Sequence, residues 1–242
     1  MKLRASSVGA IFTGKDGLTE KQLQKIYDLS VKEKRTVKQE EELNLLIAKR
    51  DAPVELPKGA KSHVEELVNK YFFKYDDHYS SKEMEKGTRV EDESIELYNR
   101  VFMTDYQKAD ESLEIDFLTG HPDIVDDKNQ MIIDIKSSWS KKTFPKLPRH
   151  ADNDTYVWQV KAYLLMKGWS KGKIAYCLVD TPEELLTEWD DDTLHYVSHI
   201  DESKRITIVD VELTQEDKTF MLGRLKAAKE YADKYLNELN SK

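Results

Sequence analysis

The chain has 242 residues, with 38 basic and 46 acidic side chains and a formal charge of −8. Its one cysteine, Cys177, excludes an intrachain disulfide and any four-cysteine zinc or iron–sulfur site built by this chain alone. No apolar run reaches the ~18 residues that span a bilayer, and the opening MKLRASSVGAIF has too short an apolar stretch for a secretion signal. An aromatic content of 10% argues against disorder, so the expectation is a soluble, intracellular globular protein with no membrane partner. The acidic balance argues only weakly against nucleic acid. Binding depends on a local patch, and carboxylates that hold a divalent metal make a chain acidic where it works on phosphates.

In chain order, residues 1–80 are expected to be helical and connective. Thr19 and Gln22 fit a capping box ahead of a Lys-, Glu- and Leu-rich stretch reaching about Lys49. Pro53, Pro57 and Gly59 mark a break. A helix over 62–78 puts Val64, Leu67, Val68, Tyr71, Phe72 and Tyr75 on one face. Another over 82–102 aligns Met84, Gly87, Glu91, Ile95, Tyr98 and Phe102. Strand patterns follow at 113–119, 122–125 and Met131–Ser137.

A loop over 139–153 carries two prolines and five basic residues, counting Lys141, Lys142, Lys146, Arg149 and His150. A helix then spans Asp154–Lys167 and stops at Gly168. A strand at 173–179, a short helix with Pro182 at its first position, a strand at 205–213 and a long helix capped by Thr214 complete the chain. In that last helix Met221, Leu225, Ala228, Ala232, Tyr235 and Leu239 recur at helical spacing. The order predicts an α/β (α+β) fold in which one central mixed sheet is flanked by helices. Residues 1–80 form a helical N-terminal region and 81–242 the core.

Alternation along Met131–Ser137 places Asp134 and Lys136 on one face of the strand and Ile133 and Ile135 on the other. Two charges on an otherwise apolar strand are either a salt bridge at a solvated edge or part of a site, because isolated buried charges are costly. Asp123, in Gly120–His121–Pro122–Asp123, favours the site. If the chain turns at Lys128–Asn129, Asp123 lies opposite Asp134, with Cβ atoms about 5 Å apart. That register is an assumption, since Lys-Asn is a poor two-residue turn. Two carboxylates so close repel unless one is protonated or a cation lies between them.

Glu91 is a third carboxylate. It interrupts an apolar stripe and points either into a cleft or out to solvent, and Gly87 one turn earlier leaves room for close approach. On the helix Asp154–Lys167, Tyr156, Gln159 and Tyr163 form a polar-aromatic stripe beside Val157, Val160 and Leu164. The tyrosines either pack in the core with hydroxyls at the rim or help orient a site.

Glu91, Gly-His-Pro-Asp123, Asp134-Ile-Lys136 and Gln159-x-x-x-Tyr163, in that order, resemble the PD-(D/E)xK nuclease superfamily, and within it the RecB-like and lambda-type (YqaJ-like) phage exonucleases. Gly87-x-x-x-Glu91 matches the glycine–glutamate helix of that group. Arg4, Ser6 and Ser7 resemble the arginine–serine segment that helps lambda-type enzymes hold a 5′ phosphate. The likeness covers about residues 82–165; residues 20–80 and 180–242 match nothing.

The resemblance implies a restriction-endonuclease-like core and one or two Mg²⁺ or Mn²⁺ ions. Their ligands would be Glu91, Asp123, Asp134 and the carbonyl of Ile135, with Lys136 at the attacking water. Asp116 and His121 are candidate outer ligands whose ordinary readings are a solvated strand aspartate and a turn histidine. Substrate contacts would come from Gln159, Tyr163, Tyr156, Arg4, Ser6 and Ser7, and from the loop lysines Lys141, Lys142 and Lys146. Trp139 either stacks on a base or packs beside the sheet, and packing is the expectation.

The family often has Glu where Asp134 stands, and the four-cysteine iron–sulfur branch is excluded. The implied activity is 5′–3′ exonucleolytic hydrolysis of linear duplex DNA in phage-type recombination or DNA processing, in the cytoplasm, of the host if phage-encoded. DNA would be the partner, and by the same resemblance a single-strand annealing protein. A processive enzyme of this type encircles DNA as a ring trimer, a property the sequence itself does not display. The alternatives are a structure-specific endonuclease, a helicase-associated nuclease, or a nucleic-acid-binding module with a degenerate nuclease fold. A mere binder has no need of a self-repelling carboxylate cluster.

Overall fold

The computed structural model describes residues 1–12, 20–51, 55–76 and 79–242. The chain opens with β1 (Leu3–Arg4), a 3₁₀ turn (Ala5–Ser7) and α1 (Gly9–Phe12), so its first residues are not purely helical. The helices α2 (Glu20–Ser30) and α3 (Val37–Asp51) form a hairpin, in which Ile26, Leu29, Leu43 and Leu46 bury a cluster of their own. The capping box proposed for Thr19, the break residue Pro53 and the helix end at 78 lie outside the described residues.

Next, α4 spans Lys58–Phe73. Its buried face is Ala60, Val64 and Val68, whereas Tyr71 and Tyr75 are exposed, so the inward stripe is shorter than the sequence pattern implies. The single helix expected over 82–102 is two, α5 (Lys82–Arg89) and α6 (Glu91–Phe102), hinged at Val90 with φ −109° and ψ 15°. Met84 and Phe102, at the ends of the expected stripe, are exposed.

The strands build two sheets rather than one. Residues 113–119 are not one strand but the arms of a hairpin, β2 (Leu113–Ile115) and β3 (Leu118–Gly120). Asp116 turns that hairpin at φ 25°. In the small sheet β1 runs parallel to β3, pairing Leu3 with Leu118, in the order β1-β3-β2. The main sheet has β4 (Ile124–Asp126), β5 (Met131–Ser137), β6 (Lys171–Cys177) and β7 (Ile206–Glu212) in sequential order. Its central pair, β5 and β6, is parallel; both outer pairs are antiparallel.

The parallel pair requires a crossover, and α7 (Asp154–Lys167) supplies it. Asn153 caps α7 by accepting from the amides of Thr155 and Tyr156, and Gly168, at φ 72°, ends it. Pro182 precedes a 3₁₀ turn (Glu183–Leu185) instead of starting a helix. A short α8 (Asp192–His195) follows, and α9 (Gln215–Asn240) starts with a capping box between Thr214 and Asp217.

Alternation along β5 then sorts the core. Ile132 joins Val160 and Leu164 of α7, Val64 and Val68 of α4, and Met221 and Ala228 of α9 in one cluster. On the other sheet face Ile133 and Ile135 pack with Ile95, Leu97 and Tyr98 of α6. Each fully buried isoleucine contributes about 1.5–3 kcal/mol by burial, so slipping β5 by one residue would cost both faces at once. Asp134 and Lys136 are thereby fixed on the α7 side.

Candidate active site

Strands β4 and β5 pair Ile124 with Ile133, Val125 with Ile132 and Asp126 with Met131. One step further along that register, Asp123 and Asp134 stand opposite each other, as the sequence pattern suggested. The turn spans residues 127–130, with Gln130 at φ 51°, and Asp126 holds it closed by accepting from the Asn129 amide at 3.0 Å. Tyr106 Oη donates to the same carboxylate at 2.6 Å.

Asp134 is fully buried, and Lys136 Nζ lies 2.6 Å from its Oδ2. Beyond that ion pair neither carboxylate oxygen of Asp134 has a hydrogen-bond partner among the described residues. Asp123 Oδ2 accepts from the amide of Ile135 at 2.6 Å. Burial, followed by the charge of Asp134, pushes the Asp123 carboxyl up to about 7. Burial also raises Asp134. Burial alone would lower Lys136, yet Asp134 and Asp123 hold its ammonium above the ordinary lysine value.

Glu91 opens α6 immediately after the hinge at Val90, which turns it into the cleft beside Asp123, Ile135 and Lys136. There its Oε2 meets Lys108 Nζ at 2.8 Å. A Cβ on Gly87 would meet nothing within 4 Å, so that position is open cleft wall. Among the described residues no three His, Cys, Asp or Glu side chains are gathered closely enough to chelate an ion; Lys136 and Lys108 lie against Asp134 and Glu91. The donor set nevertheless suits a hard cation, because it offers carboxylate oxygens. One of those oxygens, Asp134 Oδ1, is buried without a partner among the described residues, while Oδ2 is met by Lys136, and an unmet buried carboxylate oxygen is costly.

From α7, Gln159 Nε2 donates to Tyr163 Oη at 3.0 Å, and Tyr163 Oη donates to the carbonyl of His121 at 3.0 Å. Tyr163 is buried, and burial and the charge of Asp134 push its pKa up, so it stays a proton donor. It therefore grips the backbone two residues before Asp123 and does not line the cleft, as Gln159 and Tyr156 do. Gly120 permits this. A Cβ there would lie 2.6 Å from Tyr163 Cε1 and 2.8 Å from Ala5 Cβ. The Tyr156 ring sits 4.8 Å from Lys136 Nζ.

The N-terminal turn also reaches the site. Ser6 lines the cleft, Ser7 Oγ donates to the Arg4 carbonyl at 3.1 Å, and Arg4 itself is exposed. The basic loop is placed differently from expectation. Lys141 Nζ donates to the Thr193 carbonyl at 2.6 Å and Lys146 Nζ to the Lys141 carbonyl at 3.0 Å, so both tie the loop down. Lys142 is exposed, and none of the loop lysines lines the cleft, whereas Trp139, Thr143, Pro145 and His150 to Asn153 do. Trp139 packs edge-on against His195, their centroids 5.0 Å apart.

Neither candidate outer ligand is placed for that role. The His121 side chain is exposed, and Asp116 sits on the β2–β3 turn, paired with Lys229 at 2.8 Å.

Lys86 and Lys108 escaped the sequence reading. Lys86 is fully buried. Its ammonium shares three N–H donors among the carbonyls of Ser138, Trp139 and Val179 and Thr181 Oγ1, all at 2.8–3.0 Å, pinning α5 to the ends of β5 and β6. Burial lowers its pKa to about 8, against the pull of Asp180 and Glu93. A lysine beside Gly87 on a polar helix carries no sequence signal of burial. Lys108 lies in an irregular segment, where no periodicity marks it.

Glu91, Asp123 and Lys136 line a cleft of about 740 Å³, with Asp134 buried behind Lys136. That arrangement lies at the edge of a mixed sheet crossed by a helix. No family model matches the sequence, and no curated protein does. Among solved structures, the chain superimposes on a phage-related exonuclease from Haemophilus somnus 129PT with a TM-score of 0.78 and 24% identity, covering 99% of this chain and 96% of that one. It also matches the alkaline exonuclease LHK-Exo from Laribacter hongkongensis, with a TM-score of 0.62, 11% identity and coverage of 99% and 92%. The same enzyme in complex with dAMP gives 0.59, at 12% identity and the same coverage. The chain thus has the fold of the phage and alkaline exonucleases along nearly its whole length, including residues 20–80 and 180–242, for which the sequence suggested no relative.

Proposed function

We propose that the protein is a divalent-metal-dependent deoxyribonuclease, acting as an exonuclease on linear duplex DNA in the 5′–3′ direction, in phage-type recombination or DNA processing. The observation that carries this reading is the pairing of Asp123 with Asp134 on adjacent strands, with Lys136 on the same face and Glu91 turned in beside them. Glu91, Asp123, Asp134 and the Ile135 carbonyl would hold Mg²⁺ or Mn²⁺. When bound, such an ion supplies Lewis acidity to a coordinated water and to a phosphate oxygen.

The chain's own groups define the rest. Lys136 presents a compact cation where negative charge grows on the phosphate in the transition state. Gln159 and Tyr156 form the wall against which a nucleotide would lie. Ser6, on the same cleft, stands where a terminal phosphate would be met, with Arg4 on the adjoining surface. A buried acid with a half-buried acid and a half-buried lysine beside it serves no apolar packing purpose, so the arrangement is better suited to chemistry than to binding alone.

The test is digestion of end-labelled linear duplex alongside covalently closed circular DNA, with Mg²⁺ and with chelator. Metal-dependent loss of the linear substrate alone, from its 5′ ends, is the expected result. Cleavage of the closed circle would replace the exonuclease reading with an endonuclease. Absence of cleavage by the intact protein would remove the proposal, and Asp134→Ala and Lys136→Ala must both be inactive while still folded.

A further inference from the structure

Tyr176 lies in the middle of the main sheet, 8% exposed, and its hydroxyl is out of contact with solvent without a hydrogen-bond partner among the described residues. A phenylalanine would fill the same space without leaving a polar atom unmet, a deficit that generally costs about 1–3 kcal/mol. The hydroxyl is therefore unexplained by the folding of the chain as it stands.

Its neighbours suggest what it serves. Tyr176 on β6 is the register partner of Lys136 on the parallel strand β5, so both side chains leave the sheet on the α7 face. Both line the cleft. The rings of Tyr176 and Tyr156 are 6.2 Å apart, and the Tyr156 ring already faces the Lys136 ammonium at 4.8 Å.

In this arrangement Lys136 spends its charge on Asp134, at 2.6 Å. With Asp134 committed to a bound cation, the ammonium keeps three N–H donors and loses its carboxylate. An acceptor without a partner then stands on the adjacent strand. We propose that Tyr176 is a positioning residue whose hydroxyl oxygen accepts a hydrogen bond from the Lys136 ammonium when Asp134 is engaged by metal, holding that ammonium toward the substrate phosphate. The inference rests on the nuclease reading above. It assigns the seat to which Lys136 moves, which that reading leaves open.

The experiment compares Tyr176→Phe with the wild type, which keeps the ring and removes one oxygen. Without metal the variant is expected to melt at the wild-type temperature or above, because the hydroxyl is unpartnered in that state. Lys136 without its second seat competes harder for Asp134, so Mn²⁺ affinity, read by titration calorimetry without DNA, should weaken by about tenfold. In Mg²⁺, kcat on linear duplex should fall by about tenfold with KM for DNA little changed. A metal-free variant that melts well below the wild type would show that the hydroxyl has a structural partner, and unchanged Mn²⁺ affinity and kcat would show that it has no role; either overturns the proposal. An inactive wild type overturns the nuclease reading, and this proposal with it.

Discussion

The hydroxyl of Tyr163, on α7, donates to the carbonyl of His121 at 3.0 Å, so the crossover helix holds the segment that delivers Asp123. Gly120 lets the ring come close enough, and the same ring excludes any side chain at that position. Tyr163→Phe keeps the packing and releases the backbone. We expect a loss of about 1 kcal/mol, a melting temperature lower by about 2–4 °C, and a larger relative loss in cleavage rate, because the carboxylate it steadies is no longer fixed. Melting curves and digestion rates measured on the same preparation check this; an unaltered rate would confine the bond to folding.

The raised pKa of Asp123 makes stability depend on pH. Its carboxyl ionises at 3.8 when free and at about 7 in the fold. Between those values the folded chain holds the extra proton, so this group's contribution is complete below 3.8 and is lost as the pH rises toward 7. Asp123→Asn keeps an acceptor for the Ile135 amide and cannot ionise. In metal-free buffer the variant should match the wild type near pH 4 and exceed it at pH 8, by about 3–6 °C in melting temperature. A constant difference across that range would show that Asp123 is not held protonated.

Lys86 joins α5 to the two strand ends beneath the cleft through four oxygens. Lys86→Met fills similar volume and leaves buried carbonyls without their donor. The expected cost is about 3 kcal/mol, which lowers the urea midpoint by about 1 M. A midpoint within the error of the wild type would mean that water replaces the ammonium there.

Of the loop lysines, Lys142 is exposed while Lys141 and Lys146 are engaged within the protein. Lys142→Gln should lower DNA affinity and reduce the slope of log affinity against log salt by about 0.9 if it neutralises one phosphate. Lys141→Gln should instead loosen the loop by freeing the Thr193 carbonyl. Binding isotherms over a salt series distinguish the two, and identical slopes for Lys142→Gln and wild type would place the DNA elsewhere.

The parts of the site that were legible in the sequence are those with a strict local period. The bounds of β5 and α7 follow from alternation and from Gly168, and the opposition of Asp123 to Asp134, assumed from the hairpin, agrees with the pairing of β4 and β5. The break at Val90 was invisible, because spacings of three and four continue across it even though the helix does not. The β2–β3 turn was missed for a related reason. Asp116 adopts positive φ without the glycine or asparagine that usually announces it. Lys86 and Tyr176 depend on distant elements coming together, and neither residue type by itself marks a buried polar role.

The pairing of Lys136 with Asp134 and of Lys108 with Glu91 means that the resting cleft supplies its own counterions. Chelator should therefore silence such an enzyme without unfolding it. On the proposed reading, metal uptake would be an exchange in which ammonium groups are displaced, and its apparent affinity would report the strength of those internal pairs as much as the reach of the carboxylates.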